Sequence, residues 1–282
     1  MVWPKMLKGG FPFRNSEEIF SREKADELIG LETYLNKVKK ARIACPSCPY
    51  ADKDIMQVGE GEFKDLTMYA SSWTMGNINF GIQCQVGTYD QVMKTFDMAQ
   101  RYGISRHAVA HLVDYAAHLY ERGIITKEDT DGLEVRRNFE TTEKFINLIV
   151  SRQGLGKTLA KGLKALVATF NPSDLQECLI SKGLEISLEP RVRGLSTTEF
   201  EFIVDPKGDY SSCTPPLYSS GEPMDKFMKN CEHMGIPPEA INRIVESPVG
   251  FNVGRLEKHT EDWVSLLNCL GLCNRTPYQG FY

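Results

Sequence analysis

Residues 88–123, TYDQVMKTFDMAQRYGISRHAVAHLVDYAAHLYERG, decide the fold class. Val92, Phe96 and Ala99 fall on one face of a helix that Gly103 stops. Ser105 then caps a second helix, in which Val109, Leu112, Val113, Ala116 and Leu119 or Tyr120 recur at helical spacing until Gly123. The same pattern spreads outward. Residues 141–153 offer Phe145, Leu148 and Ile149 before Gly154, and residues 157–170 offer Leu159, Leu163, Leu166 and Val167. Pro172 opens a further helix that closes at Gly183, and helices resume at 223–234, 238–246 and 260–270. Short strands are expected only at 184–188 and at 198–204, where Phe200, Phe202 and Val204 alternate with period two. The expectation is a mostly α chain without internal repeats, built as two packed α-helical domains, 1–175 and 176–282, with a few short strands.

Composition narrows the function classes. With 282 residues, 41% apolar and 25% charged, the chain can bury one large or two modest cores. A net charge of −4 and a single short basic run, Lys37-Val38-Lys39-Lys40-Ala41-Arg42, argue against a nucleic-acid footprint; the run reads as a solvated helix end. Eight irregularly spaced cysteines and no apolar leader point to a reducing cytoplasm. Residues 66–89 carry no charge, yet Ser71, Ser72, Thr74, Asn77, Asn79, Gln83 and Gln85 interrupt the stretch with groups that hydrocarbon would penalise, so no membrane span is expected. A buried polar segment facing a cofactor or substrate is the reading for it, set against a plain surface loop.

Two cysteine segments carry the candidate chemistry. Cys45-Pro46-Ser47-Cys48, with Asp52 beyond it, and Leu270-Gly271-Leu272-Cys273 read best as the split ligand set of one iron–sulfur cluster. One turn of backbone offers the first two sulfurs to a single centre, and further ligands must arrive from elsewhere. The same C-x-x-C spacing also serves structural zinc and thiol redox sites; the charged stretch before the pair and the turn-prone Pro49-Tyr50-Ala51-Asp52 after it argue against a disulfide oxidoreductase. At the other end, Thr260 caps a helix with Glu261 and Asp262 in its first turn, and Trp263, Leu266, Leu267 and Leu270 form its apolar face. Gly271 ends that helix, so Cys273 leaves a rigid element, while Cys269 reads as a buried apolar residue.

Two other motifs read as packing. Gly154-Leu155-Gly156-Lys157-Thr158 looks like the end of a phosphate-binding loop, but Ser151 stands where the first glycine is needed and a helix precedes it. His107, His111 and His118 share one helical stripe without the glutamate of a zinc-protease motif, so helix packing is expected over metal binding.

Taken together in order, ACPSCPYADKD at 44–54, Tyr102-Gly103-Ile104-Ser105, Gly123-Ile124-Ile125-Thr126 with Glu128-Asp129-Thr130, Gly154-Leu155-Gly156 with Leu159-Ala160-Lys161-Gly162, and LLNCLGLCNR at 266–275 resemble the tungsten-containing aldehyde ferredoxin oxidoreductases. Lys182-Gly183-Leu184-Glu185 with Pro190-Arg191, and Gly250-Phe251-Asn252-Val253-Gly254-Arg255-Leu256, look like further signatures. The resemblance runs over nearly the whole chain and implies that family's domains 2 and 3; the branch it is similar to lies nearer the benzoyl-CoA-reductase-like members than the archaeal aldehyde enzymes.

The resemblance implies a 4Fe-4S cluster held by Cys45, Cys48, Asp52 and Cys273, beside a tungsten (or molybdenum) bis-pterin. It implies an anaerobic oxidoreductase passing electrons between an aldehyde or acyl-CoA-type substrate and ferredoxin or an electron-transfer subunit. Asp52 stands where the family has a third cysteine, and a carboxylate oxygen can ligate iron in its place. The loops that face the pterin in the family map onto Gln100, Gly103 and Ser105, and onto Asn268, Gly271 and Leu272. There Gln100 and Asn268 replace acids and Ser105 replaces a third, giving up charge-assisted hydrogen bonds for neutral ones. Glu62 falls at the family's active-site glutamate and Tyr210 near its catalytic histidine. The family's first domain has no counterpart upstream of Met1 and relatives continue past Tyr282, so the expectation is a fragment, or a subunit whose partner supplies that pterin-binding domain and covers an exposed apolar face.

Overall fold

The computed structural model describes residues 11–13, 18–20, 30–48, 51, 53–70, 77–176, 180–185, 223–233, 235–246 and 252–272. The chain divides into two compact units, Met1–Glu185 and Ile186–Tyr282. The described residues are mostly helical with a few short strands, as the periodicity requires.

In the first unit, α1 (Tyr89–Tyr102) and α2 (Arg106–Glu121) form from the stretch quoted at the outset. Both pack on α3 (Phe139–Ser151) and on a π-helical turn, Asn77–Gln83. Val92, Met93, Phe96 and Ala99 of α1 are buried together with Phe145 and Ile146 of α3. From Val109 to Ala117 every residue of α2 is buried, as expected of a helix with neighbours on all sides. That burial includes a charge. Asp114 is held by Arg137, whose Nε donates to Asp114 Oδ1 at 2.7 Å and whose Nη1 donates to Glu121 Oε1 at 2.7 Å. Such a pair persists inside a protein only when its hydrogen bonds are satisfied.

A single helix over 157–170 is not what forms. The chain makes α4 (Gly156–Leu159) and α5 (Leu163–Phe170), separated at Gly162, whose φ of +86° no helix can continue. Glu185 stabilises the new start, its Oε1 accepting the Leu163 N–H at 2.8 Å. Gly156 lets α4 approach α3, because a Cβ there would lie 2.1 Å from the Leu148 carbonyl oxygen. Likewise, Pro172 opens only a 3₁₀ turn, Pro172–Gln176, and Gly183 lies in the hairpin of β6 (Ile180–Ser181) and β7 (Leu184–Glu185). These strands are preceded by β1 (Phe11–Phe13) paired with β2 (Glu18–Phe20), and by an antiparallel sheet ordered β3 (Lys39–Ile43), β4 (Lys53–Gln57), β5 (Thr67–Ala70). That sheet was not expected. Its inner face buries Met56, Met68 and Ala70 on the main core, so the basic run at 37–42 forms the end of a helical turn and then a strand rather than a solvated helix end.

The second unit contains α6 (Met224–His233), α7 (Pro238–Val245) and α8 (Val253–Cys269) around Phe227, Cys231, Ile241, Ile244 and Leu256. Pro238 occupies the first helical position of α7, where its missing N–H costs nothing. Thr260 is not the cap of α8. The helix starts two turns earlier, where Asn252 Oδ1 accepts the Arg255 N–H at 3.0 Å. Its buried face is Val253, Leu256, Val264 and Leu267, while Leu266 and Leu270 are exposed and Cys269 lies on the surface rather than in the core. The strand expected at 198–204 lies outside the described residues.

Candidate functional site

The cysteine pair sits on a turn built by its own sequence. Between β3 and β4 the Cys48 N–H donates to the Cys45 carbonyl at 3.1 Å. Pro46 supplies the fixed φ of the turn's first central residue, and Ser47 adopts φ +62° at the second, the pattern of a type II turn. Cys45 is exposed and Cys48 half-buried, and neither is in a disulfide. Behind them, Asp54 ties the hairpin together, accepting from the Tyr34 hydroxyl at 2.5 Å and pairing with Lys39 Nζ at 2.7 Å. Burial, and then the bond to Asp54, push the Tyr34 hydroxyl well above the usual tyrosine range, so it stays a donor.

This arrangement fits half of a metal centre. Two thiols on one surface turn are adjacent ligands of the kind iron–sulfur and zinc sites use. Among the described residues no group of three metal-ligating side chains is formed. Asp52 and Cys273, the two other ligands expected from the sequence, lie outside the described residues.

The loops containing Gln100 and Asn268 share one geometry. Gly103 (φ +66°) ends α1, with the Ile104 N–H returning to the Ala99 carbonyl at 2.9 Å. Gly271 (φ +71°) follows α8, with the Leu272 N–H returning to the Leu267 carbonyl at 2.8 Å. This six-to-one bond is the Schellman stop. Gly123 and Gly235 close their helices in the same way, so the turn is a general helix end and any pterin selectivity must come from side chains. Gln100 and Asn268 both place their amides at the surface. Ser105 is committed locally, its Oγ accepting the Ala108 N–H at 3.4 Å to cap α2.

Glu62 lies exposed in the loop from β4 to β5. That loop closes through Val58 N–H to Leu66 O at 2.9 Å. Beside it opens a cleft of about 580 Å³ lined by Thr33, Lys37, Val58, Glu60, Thr88 and Asp90, of whose wall Glu62 is not part. Tyr210 lies outside the described residues.

His107 and His111 are buried on α2, and Gln83 Nε2 lies 3.0 Å from His111 Nδ1. Burial, reinforced by Arg106 and His111, pushes His107 down to about 3, so it packs as a neutral imidazole. The Gly154/Gly156 motif serves the close helix approach described above. Sequence reading gave no structural role to Asp54, the Asp114–Arg137 pair or Glu185. Each acts on a partner about 20 residues away, beyond any local periodicity. No described helix is long and apolar enough to cross a membrane.

A tungsten-containing aldehyde ferredoxin oxidoreductase of Pyrococcus abyssi is 28% identical over 173 residues, 59% of this chain and 27% of that protein. An aliphatic sulfonate oxidoreductase, WOR-like subunit, of Pyrococcus furiosus is 26% identical over 154 residues, 54% of this chain and 24% of its own length. The chain thus spans about a quarter of these curated relatives. Among solved structures, the active-site complex BamBC of benzoyl-coenzyme A reductase with 1,5-dienoyl-CoA shares the fold, with a TM-score of 0.66 over 83% of this chain and 35% of that one at 16% identity. The family described as aldehyde ferredoxin oxidoreductase, domains 2 and 3, matches residues 4–281, and the chain belongs to that family.

Proposed function

We propose that this chain is the cluster-bearing part of a tungstopterin-type oxidoreductase that moves electrons between an aldehyde or acyl-CoA-type substrate and ferredoxin or another iron–sulfur carrier. The observation that supports it is the type II turn, which presents Cys45 and Cys48 together at the surface. Oxidation of an aldehyde with water to a carboxylic acid releases two electrons and two protons. When bound, a tungsten or molybdenum pterin supplies the two-electron chemistry and a 4Fe-4S cluster passes electrons on singly.

In this reading Cys45, Cys48, Asp52 and Cys273 hold the cluster. Gln100 and Asn268 offer carboxamides to the pterin's donor and acceptor edge, with Gly103, Ser105, Gly271 and Leu272 shaping the backbone around it. Glu62 and Tyr210 serve proton transfer at the substrate. A further domain or subunit supplies the rest of the pterin pocket, in line with relatives that are more than twice as long. The 1–175 and 176–282 division assigns Cys45 and Cys48 to one domain and Cys273 to the other.

Anaerobic purification followed by iron, sulfide, zinc and tungsten analysis tests the proposal. It predicts about four irons and four sulfides per chain and a reduced-cluster spin-resonance signal. Asp52→Cys should then keep or raise the iron content and change the spectrum; no effect on either removes Asp52 from the ligand set. A second reading, a non-catalytic helical scaffold or interaction subunit with a structural metal or none, draws on the amides at Gln100 and Asn268 and on Asp52. Zinc alone, or no metal, would establish it.

A further inference from the structure

We propose that the basic outer strand of the cysteine hairpin, β3 with the turn before it, is the docking surface for a small acidic electron-transfer protein. This deepens, and rests on, the electron-transfer reading above. Residues 37–57 contain five basic side chains (Lys37, Lys39, Lys40, Arg42, Lys53) and two acidic ones, a local net of +3 in a chain whose total is −4. The structure puts four of those cations, Lys37, Lys39, Lys40 and Arg42, on β3 and the turn before it. β3 is the edge of its sheet and leads straight into the turn that carries Cys45 and Cys48.

Three of the cations on β3 and the turn before it face solvent. Lys40 is exposed and makes no ion pair among the described residues. Arg42 is 64% exposed, with its Nε 3.8 Å from Asp54, a carboxylate already engaged by Lys39 at 2.7 Å. Lys37 is 68% exposed and, among the described residues, reaches only Glu60, itself 86% exposed, at 3.7 Å. Such surface pairs are weak and do not cancel the field of the patch. Lysines on an edge strand also discourage strand addition, so this edge disfavours a partner that binds by extending the sheet and favours one that binds by charge. A carrier with an acidic face docking here would bring its own cluster up to the exposed cysteine turn, and electrostatic steering would orient it.

The test measures binding of the full chain to a strongly acidic two-cluster bacterial ferredoxin by titration under anaerobic conditions. Affinity should fall roughly tenfold or more between 50 and 300 mM NaCl, because exposed charges are screened over about 10 Å at 0.1 M salt. The Lys37→Glu/Lys40→Glu double variant should weaken binding by a similar factor at low salt. Lys157→Glu/Lys161→Glu, a charge reversal at the cationic depression beside α4, should leave binding unchanged. Binding that survives both salt and the Lys37/Lys40 reversal, or that is lost only with Lys157 and Lys161, overturns the proposal. Iron and acid-labile sulfide measured on the same preparations keep the two failures apart. A cluster present without salt-sensitive ferredoxin binding overturns the docking surface alone, whereas absence of the cluster overturns the electron-transfer reading and the docking proposal with it.

Discussion

The ends of α1 and α8 are the same turn in different surroundings. Each is a helix closed by a left-handed glycine three residues after an amide side chain, Gln100 before Gly103 and Asn268 before Gly271. After Gly103 the chain is anchored: Ile104 packs half-buried on the main core and Ser105 immediately caps α2. At the other end, Leu272 is 41% exposed beside exposed Leu266 and Leu270. A helix stop is therefore a local property, whereas its rigidity is borrowed from what it packs on.

The largest expected effect lies in the core that holds α2. Arg137→Leu strands Asp114 in the middle of α2 and should lower the stability of the first unit by about 3–5 kcal/mol in chemical denaturation. Acidification should come next. His107 binds no proton when folded until about pH 3, but does so near its ordinary value of 6.5 when unfolded. The unfolded state thus holds more protons as pH falls below 6.5, and stability should drop by about 2 kcal/mol on reaching pH 5. His107→Gln should remove that component, and an unchanged pH profile would show that α2 does not bury a neutral imidazole there.

Two smaller comparisons address the loops directly. Ile104→Ala should cost about 1–2 kcal/mol for a half-buried aliphatic, whereas Leu272→Ala should stay within about 0.5 kcal/mol. Equal losses would mean that the two ends are equally anchored. Gly103→Ala and Gly271→Ala should each cost about 1 kcal/mol, because both need the left-handed backbone and neither has a neighbour within 4 Å to clash with an added Cβ. A markedly greater loss at Gly103 would place the strain in the core rather than in the turn.

Much of this was legible from local chemistry. The periodicity of α1, α2 and α3, the stops at Gly103, Gly123 and Gly271, and the cap at Ser105 all lie within a few residues of their effects and agree with the structure, whereas Gly183 turns a hairpin and α3 ends at Arg152 before Gly154. The failures share a different cause. The three-stranded sheet was missed because its outer strand is basic, as an edge tolerates, and its core contacts come from the remote methionines Met56 and Met68. The break at Gly162 was missed because the glutamate that makes it favourable, Glu185, lies 22 residues away. The face of α8 was misassigned because Leu266 and Leu270 have helical spacing but no core to face.

By itself, the sequence determined that the chain is mostly helical, where most of its helices stop, and that Cys45 and Cys48 share one turn, because hydrogen-bonded turns, caps and left-handed glycines are decided over three to six residues. Only the tertiary structure decided which leucines are buried, that the basic run is the edge strand beside those cysteines, and that Asp54, Arg137 and Glu185 hold the frame, because burial and ion pairing depend on partners that meet only when the chain has folded.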